Sequence, residues 1–122
     1  MELKPFGYIL GDEFLIVRNR AMLIPLGDKK DAALCLRPTM FRLLIYLIEN
    51  ASDEPVADED IMLNVWEKFG LRSSKARLWQ VMNAMCKKIS LMGDLSDVFI
   101  RVENTGYYVN KNKVGILFHY ID

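Results

Sequence analysis

Between positions 73 and 89 the residue types and their spacing suit one kind of chemistry. Leu78, Met82, Met85 and Ile89 fall at i, i+4, i+7 and i+11, which is one face of a helix. The positions left over carry Lys75, Arg77, Trp79, Gln80, Asn83, Cys86 and Lys87. An arginine donates a bidentate pair to guanine, and Gln or Asn pairs with adenine, so Arg77, Gln80 and Asn83 have the groups that read base edges in a major groove. Lys75 and Lys87 suit phosphates, which position a protein without reading sequence. Ser73 or Ser74 is a cap for this helix, and Ser73, Ser74 and Lys75 stand where free backbone amides and the helix dipole favour a phosphate. Trp79 has two readings. It packs on a thymine methyl or a sugar, or it is partly buried against the turn that precedes the helix.

Other chemistries lack their parts. His119 is the only histidine and lies three residues from the end, which argues against a histidine-built zinc site or a Ser-His-Asp triad. Cys35 and Cys86 are the only cysteines, at no metal-like spacing, as in a reduced cytosol. Cys35 in an apolar strand reads as packing. Cys86 reads as a small residue facing the groove or the edge of the core, or as an oxidation sensor whose pKa Lys87 and Lys88 lower. The carboxylates that fall close together are explained by helix capping, so no enzyme, no cofactor and no small-molecule substrate is expected.

The elements that must position the outer face follow from the hydropathy pattern. The chain has 122 residues, 52% apolar and 26% charged, which is one globular domain. Tyr8-Ile9-Leu10, Phe14-Leu15-Ile16-Val17, Met22-Leu23-Ile24 and Ala33-Leu34-Cys35-Leu36 read as strands. Gly11-Asp12-Glu13, Arg18-Asn19-Arg20 and Gly27-Asp28-Lys29-Lys30-Asp31 separate them as turns. Pro38 opens a first helix that carries Phe41, Leu44, Ile45, Leu47 and Ile48 at helical spacing and ends at Asn50-Ala51-Ser52. Pro55-Val56 is extended. Asp58 is expected to cap a second helix, with Ile61, Met62, Val65, Trp66 and Phe69 as its buried stripe and Gly70 as its stop. Gly93-Asp94 closes the third helix. Residues 98–102 and Tyr107-Tyr108-Val109 form a hairpin about the turn Glu103-Asn104-Thr105-Gly106. The fold class is α+β: an N-terminal antiparallel sheet, three helices and a C-terminal β-hairpin, the order of a winged helix.

Four stretches carry a family resemblance. Leu36-Arg37-Pro38-Thr39-Met40-Phe41-Arg42-Leu43-Leu44-Ile45-Tyr46-Leu47 resembles the first helix of OmpR/PhoB-type C-terminal domains. Asp58-Glu59-Asp60-Ile61-Met62-Leu63-Asn64-Val65-Trp66 resembles their second helix, with its closing Val-Trp pair. Met85-Cys86-Lys87-Lys88-Ile89 is similar to the end of their recognition helix, and residues 100–109 are similar to their wing, with Gly106-Tyr107 at its Gly-Tyr. The resemblance covers about residues 5 to 110. With no receiver domain in front, the chain looks most like the ToxR/CadC branch. The resemblance implies sequence-specific binding of double-stranded DNA and regulation of transcription in a bacterium. Residues 74–89 would be the recognition helix, supported by Arg72 and Ser73 at its start. Asn104 and Thr105 would be the wing tip near the minor groove. The turn over residues 66–73 would match a loop that touches RNA polymerase in relatives. Met40 stands where the family carries an acid, Cys86 where it carries an arginine, and Glu103-Asn104-Thr105 where its wing is basic. An acid at the wing implies little affinity from that element and a shallow salt dependence.

Charge and the tail bear on the alternatives. The 16 basic and 16 acidic residues cancel, which argues against strong non-specific polyanion binding. They are nevertheless segregated. Glu49, Asp53, Glu54, Asp58, Glu59, Asp60 and Glu67 precede a stretch, 71–92, that holds Arg72, Lys75, Arg77, Lys87 and Lys88 and no acid. Residues 1–110 form the expected DNA-binding domain. Residues 111–122 are an apolar tail that packs as an extra strand or pairs with another chain by edge addition, so a homodimer is a possible partner state. No run approaches the ~20 apolar residues of a membrane span. The expected location is cytoplasmic, with membrane anchoring only if the chain is a piece of a longer protein. The second functional reading is a protein-interaction module on a winged-helix scaffold.

Overall fold

The computed structural model describes residues 2–27 and 33–121. Its N-terminal part is an antiparallel sheet of β1 (Glu2–Leu10), β2 (Phe14–Val17), β3 (Met22–Pro25) and β4 (Leu34–Cys35). Tyr8, Leu10, Phe14, Ile16 and Leu23 alternate into the core, as a sheet with one wet face requires. β4 is shorter than its apolar run because only Met22 and Leu23 of β3 pair with it. Cys35 is exposed there, not packed: alternation turns it outward while Leu36 enters the core. The turn expected at 27–31 falls outside the described residues beyond Gly27.

Three helices form the second layer. α1 (Pro38–Glu49) starts with proline in its first turn and buries Phe41, Leu43, Leu44, Leu47 and Ile48. α2 (Asp58–Val65) is shorter than expected. A 3-10 turn, Glu67–Phe69, and a left-handed Gly70 follow it. Trp66 is buried between them, whereas Phe69 is 56% exposed and does not belong to the apolar stripe. Its ring is instead occupied by the Arg42 guanidinium of α1, 3.7 Å above the ring centre. α3 (Lys75–Ser90) seats Leu78, Met82, Met85 and Ile89 in the core. Each such side chain is worth about 1.5–3 kcal/mol of burial, which fixes the rotation of the helix. The helix ends three residues before Gly93, whose N–H reaches back to the Ile89 carbonyl at 3.2 Å.

A second sheet of β5 (Val56–Ala57), β7 (Gly106–Val109) and β6 (Phe99–Val102), in that order, makes the wing. Gly106 is required: a Cβ there would stand 1.9 Å from the Val56 carbonyl oxygen. The last strand, β8 (Val114–Ile121), lies antiparallel along β1 and makes the first sheet five-stranded, β4-β3-β2-β1-β8. No helix among the described residues is long and apolar enough to cross a membrane.

Candidate nucleic-acid interface

α3 is 16 residues long, so it presents a rod of about 24 Å. Its core face sets where everything else points, at roughly 100° per residue. Ala76, Gln80, Asn83 and Lys87 lie opposite the core face, and all are exposed. Ser74 is the cap: its Oγ accepts from the Arg77 N–H at 3.0 Å. Ser73 does not cap the helix. Its hydroxyl donates to Glu67 Oε2 at 2.7 Å and pins the turn before the helix.

The two flanks of the helix differ. On one side Arg77 and Gln80, with Arg72 from the turn, line a concavity of about 730 Å³. Arg37 and Pro38 from the start of α1 close its far side, over a floor that includes Met40, Trp66 and Leu71. Arg37, Arg72 and Arg77 have no ion-pair partner among the described residues, so this hollow is strongly cationic. Arg37 carried no signal in the sequence, because only the tertiary fold brings the start of α1 beside α3. Met40 and the other residues that line the hollow bring it no negative charge.

On the other side, Trp79 is 62% exposed and borders a smaller hollow shared with Lys75, Glu103 and Tyr107. Burial against the preceding turn is therefore ruled out for Trp79; the indole faces the wing. Beneath it lies a pair that the sequence did not disclose. Asp58 is 1% exposed and accepts two bonds from the Arg101 guanidinium of β6, at 2.7 and 3.0 Å. Asp58 thus does not cap α2, whose cap residue is Ala57. The Arg101 guanidinium also lies 4.9 Å from the centre of the Tyr107 ring. The hydrogen bonds that it donates to Asp58 raise the Arg101 pKa above its ordinary value. The Asp58 N–H also donates to the Thr105 carbonyl at 2.9 Å, which ties the wing tip to the start of α2.

The wing tip itself is polar and exposed. Asn104 has φ of 59°, a left-handed conformation that asparagine tolerates better than most residues. The Thr105 hydroxyl donates to the Glu103 carbonyl at 3.3 Å. Both residues thus have structural work at the turn. Lys75 lies 3.8 Å from Glu59, but both side chains are more than 60% exposed and the contact is weak. Cys86 is partly buried beside the core, and burial pushes its thiol up. The direction is opposite to the lowered pKa that the oxidation-sensor reading of Cys86 requires. No group of three or more His, Cys, Asp or Glu among the described residues is placed to hold a metal ion.

No family model and no curated protein sequence matches the chain. Among solved structures the chain is similar to the DNA-binding domain of E. coli CadC. The TM-score is 0.73 and the identity 18%, over 95% of this chain and 100% of that one. It is also similar to the C-terminal domain of the nisin resistance regulator NsrR, a lantibiotic response regulator. There the TM-score is 0.62 and the identity 24%, over 79% of this chain and 90% of the other. At these identities the likeness establishes the winged-helix fold, N-terminal sheet included.

Proposed function

We propose that the chain is the DNA-binding part of a bacterial transcriptional regulator of the OmpR/ToxR kind, working in the cytoplasm and without catalysis. The observation that carries this reading is the outer face of α3. It is exposed along its whole length, it bears Gln80, Asn83 and Lys87, and no acid occurs on the helix. α3 enters the major groove. Arg77, Gln80 and Asn83 read bases, with Trp79 against a sugar or a thymine methyl. Lys75, Lys87, Arg72 and the amides behind Ser73 and Ser74 hold phosphates. Asn104 and Thr105 approach the minor groove but add little, since Glu103 stands beside them. The fold supports this reading, because the solved domain of CadC that it resembles is described as DNA-binding. One such module buries little DNA surface, so useful specificity calls for two copies on one site. Exposed Leu63, Phe69 and Leu71 around the turn between α2 and α3 offer RNA polymerase a contact.

The test is fluorescence anisotropy with a labelled generic duplex at about 50 and 200 mM salt. Binding that weakens with salt, and that a Lys75/Arg77/Lys87 triple-alanine variant weakens further, is the expected result. No binding at the lower salt would overturn it. The protein-interaction reading would then lead, favoured by the apolar patch on β1 and β8.

A further inference from the structure

β1 and β8 continue together past the helical layer as a two-stranded ribbon. The register decides which side each residue takes. Tyr8 and Leu10 point into the core, so their partners Ile116 and Val114 share that side. Phe118 and Tyr120 follow by the two-residue repeat. On β1 the parity changes at a bulge: Gly7 pairs with Leu117 but Pro5 pairs with Phe118, leaving Phe6 as the extra residue. The bulge therefore brings Leu3 and Pro5 to the same side as Tyr8. Glu2 and Lys4 go to the other side with their partners Ile121 and His119. The Phe6 ring packs edge-on against His119 at 5.7 Å.

One side of the ribbon is thus wholly apolar, and the other takes all its charge. The apolar side is not covered. Leu3 is 52% exposed, Ile116 52%, Phe118 50% and Tyr120 68%. Only the end of α1, with Ala51 just after it, approaches this side: Ile48, Glu49 and Ala51 face Pro5, Tyr8, Ile116 and Phe118 across an open groove. A ribbon wet on both sides gains nothing from such sorting, so the face is built to be covered.

We propose that a second copy of this chain covers it, the two ribbons packing face to face about a two-fold axis. A two-fold contact requires a surface that is its own complement. The strands put no charged residue on this face, and the two charges that border its near end, Glu49 and Lys111, are paired with Arg18 and Asp53, so two copies meet without unpaired like charges opposed. Its size also fits: the four side chains offer roughly 500 Å² per copy, or about 1,000 Å² in all, the lower bound of a specific and reversible interface. The inference deepens the reading above by giving the DNA-bound pair its contact, and rests on that reading only for the use of the dimer.

Sedimentation equilibrium of the full chain without DNA tests it, from about 5 to 500 μM. The expected result is monomer at the low end and dimer at the high end. Tyr120→Lys should raise the dissociation constant at least tenfold, and so should Leu3→Lys on the neighbouring strand. His119→Lys, one residue away but on the opposite side, should leave it within about twofold. Circular dichroism checks that each variant is folded. A chain that stays monomeric throughout overturns the proposal and leaves the face to another partner. So does a dimer that Tyr120→Lys and Leu3→Lys leave intact, or one that His119→Lys weakens equally. Failure of the DNA reading would show in anisotropy with this dimer still formed.

Discussion

Arg77 joins the two parts of the site, since its backbone N–H takes the Ser74 cap while its guanidinium faces the hollow beside α3. Arg77→Ala should cost roughly 1–3 kcal/mol of specific affinity and relax one position of the DNA site. Competition anisotropy against single-base variants of the preferred site measures both; equal binding by mutant and parent removes Arg77 from base readout. The Asp58–Arg101 pair makes a prediction about stability through its asymmetry. Asp58 is buried, whereas the Arg101 side chain is 34% exposed. Arg101→Ala leaves a carboxylate stranded in the core and should cost about 3–5 kcal/mol. Asp58→Asn keeps the shape, and water can still reach the arginine, so it should cost clearly less. Urea unfolding of the two variants gives the order, and the reverse order would refute the burial argument. The cysteines should differ in the same way. Exposed Cys35 should alkylate first near neutral pH and Cys86 slowly, since burial holds its thiol protonated; mass spectrometry resolves the two.

At the scale of elements, β1 is held to the end of α1 by the Tyr8 hydroxyl, which donates to the Glu49 carboxylate, itself paired with Arg18 at 3.0 Å. Burial first, and then Glu49, push the Tyr8 hydroxyl from 10.0 up to about 12. The folded state thus holds this proton more tightly than the unfolded chain. The contribution is whole below pH 10 and is lost as pH rises through about 12. The urea midpoint should fall across that window, and Tyr8→Phe should remove part of the fall; an unchanged pH profile in the variant would show that Tyr8 is not linked to folding. How far these elements were legible varies with how local their causes are. α3 was readable because its four core residues recur at helical spacing and Ser74 precedes them. The wing was readable because the turn residues Glu103-Asn104-Thr105-Gly106 separate two short apolar runs. Asp58 misled because an acid at a helix start has the same sequence signature whether it caps the helix or pairs with a distant strand. Phe69 misled because its partner, Arg42, lies on another helix. The length of β1 was hidden, since residues 2–6 become a strand only by pairing with β8, more than a hundred residues later.

For the molecule as a whole, the proposed function asks a neutral chain to bind a polyanion. Its 16 acids are not spread evenly against its 16 bases. Glu49, Asp53 and Asp58 are engaged by Arg18, Lys111 and Arg101, all outside α3. That leaves Arg72, Arg77, Lys87 and Lys88 without an ion-pair partner among the described residues, and Lys75 with only a weak one. The local field at α3 is therefore positive although the sum is zero. In the proposed complex few cations reach phosphate at once, however, and Glu103 stands on the wing side of the duplex. With about three to five phosphates neutralised, log Kobs should fall against log salt with a slope of roughly −3 to −4.5. Glu103→Lys replaces a repelled charge by one that can pair with phosphate. It should tighten binding to all sequences alike and steepen the slope by about one. The Asp58 N–H to Thr105 bond that anchors the turn backbone does not involve the Glu103 side chain, but the Glu103 carboxylate favours the Arg101 charge, so the exchange should lower stability slightly. A variant with parental affinity and slope would mean that the wing tip stays clear of DNA, and that α3 with the turn before it carries the whole contact.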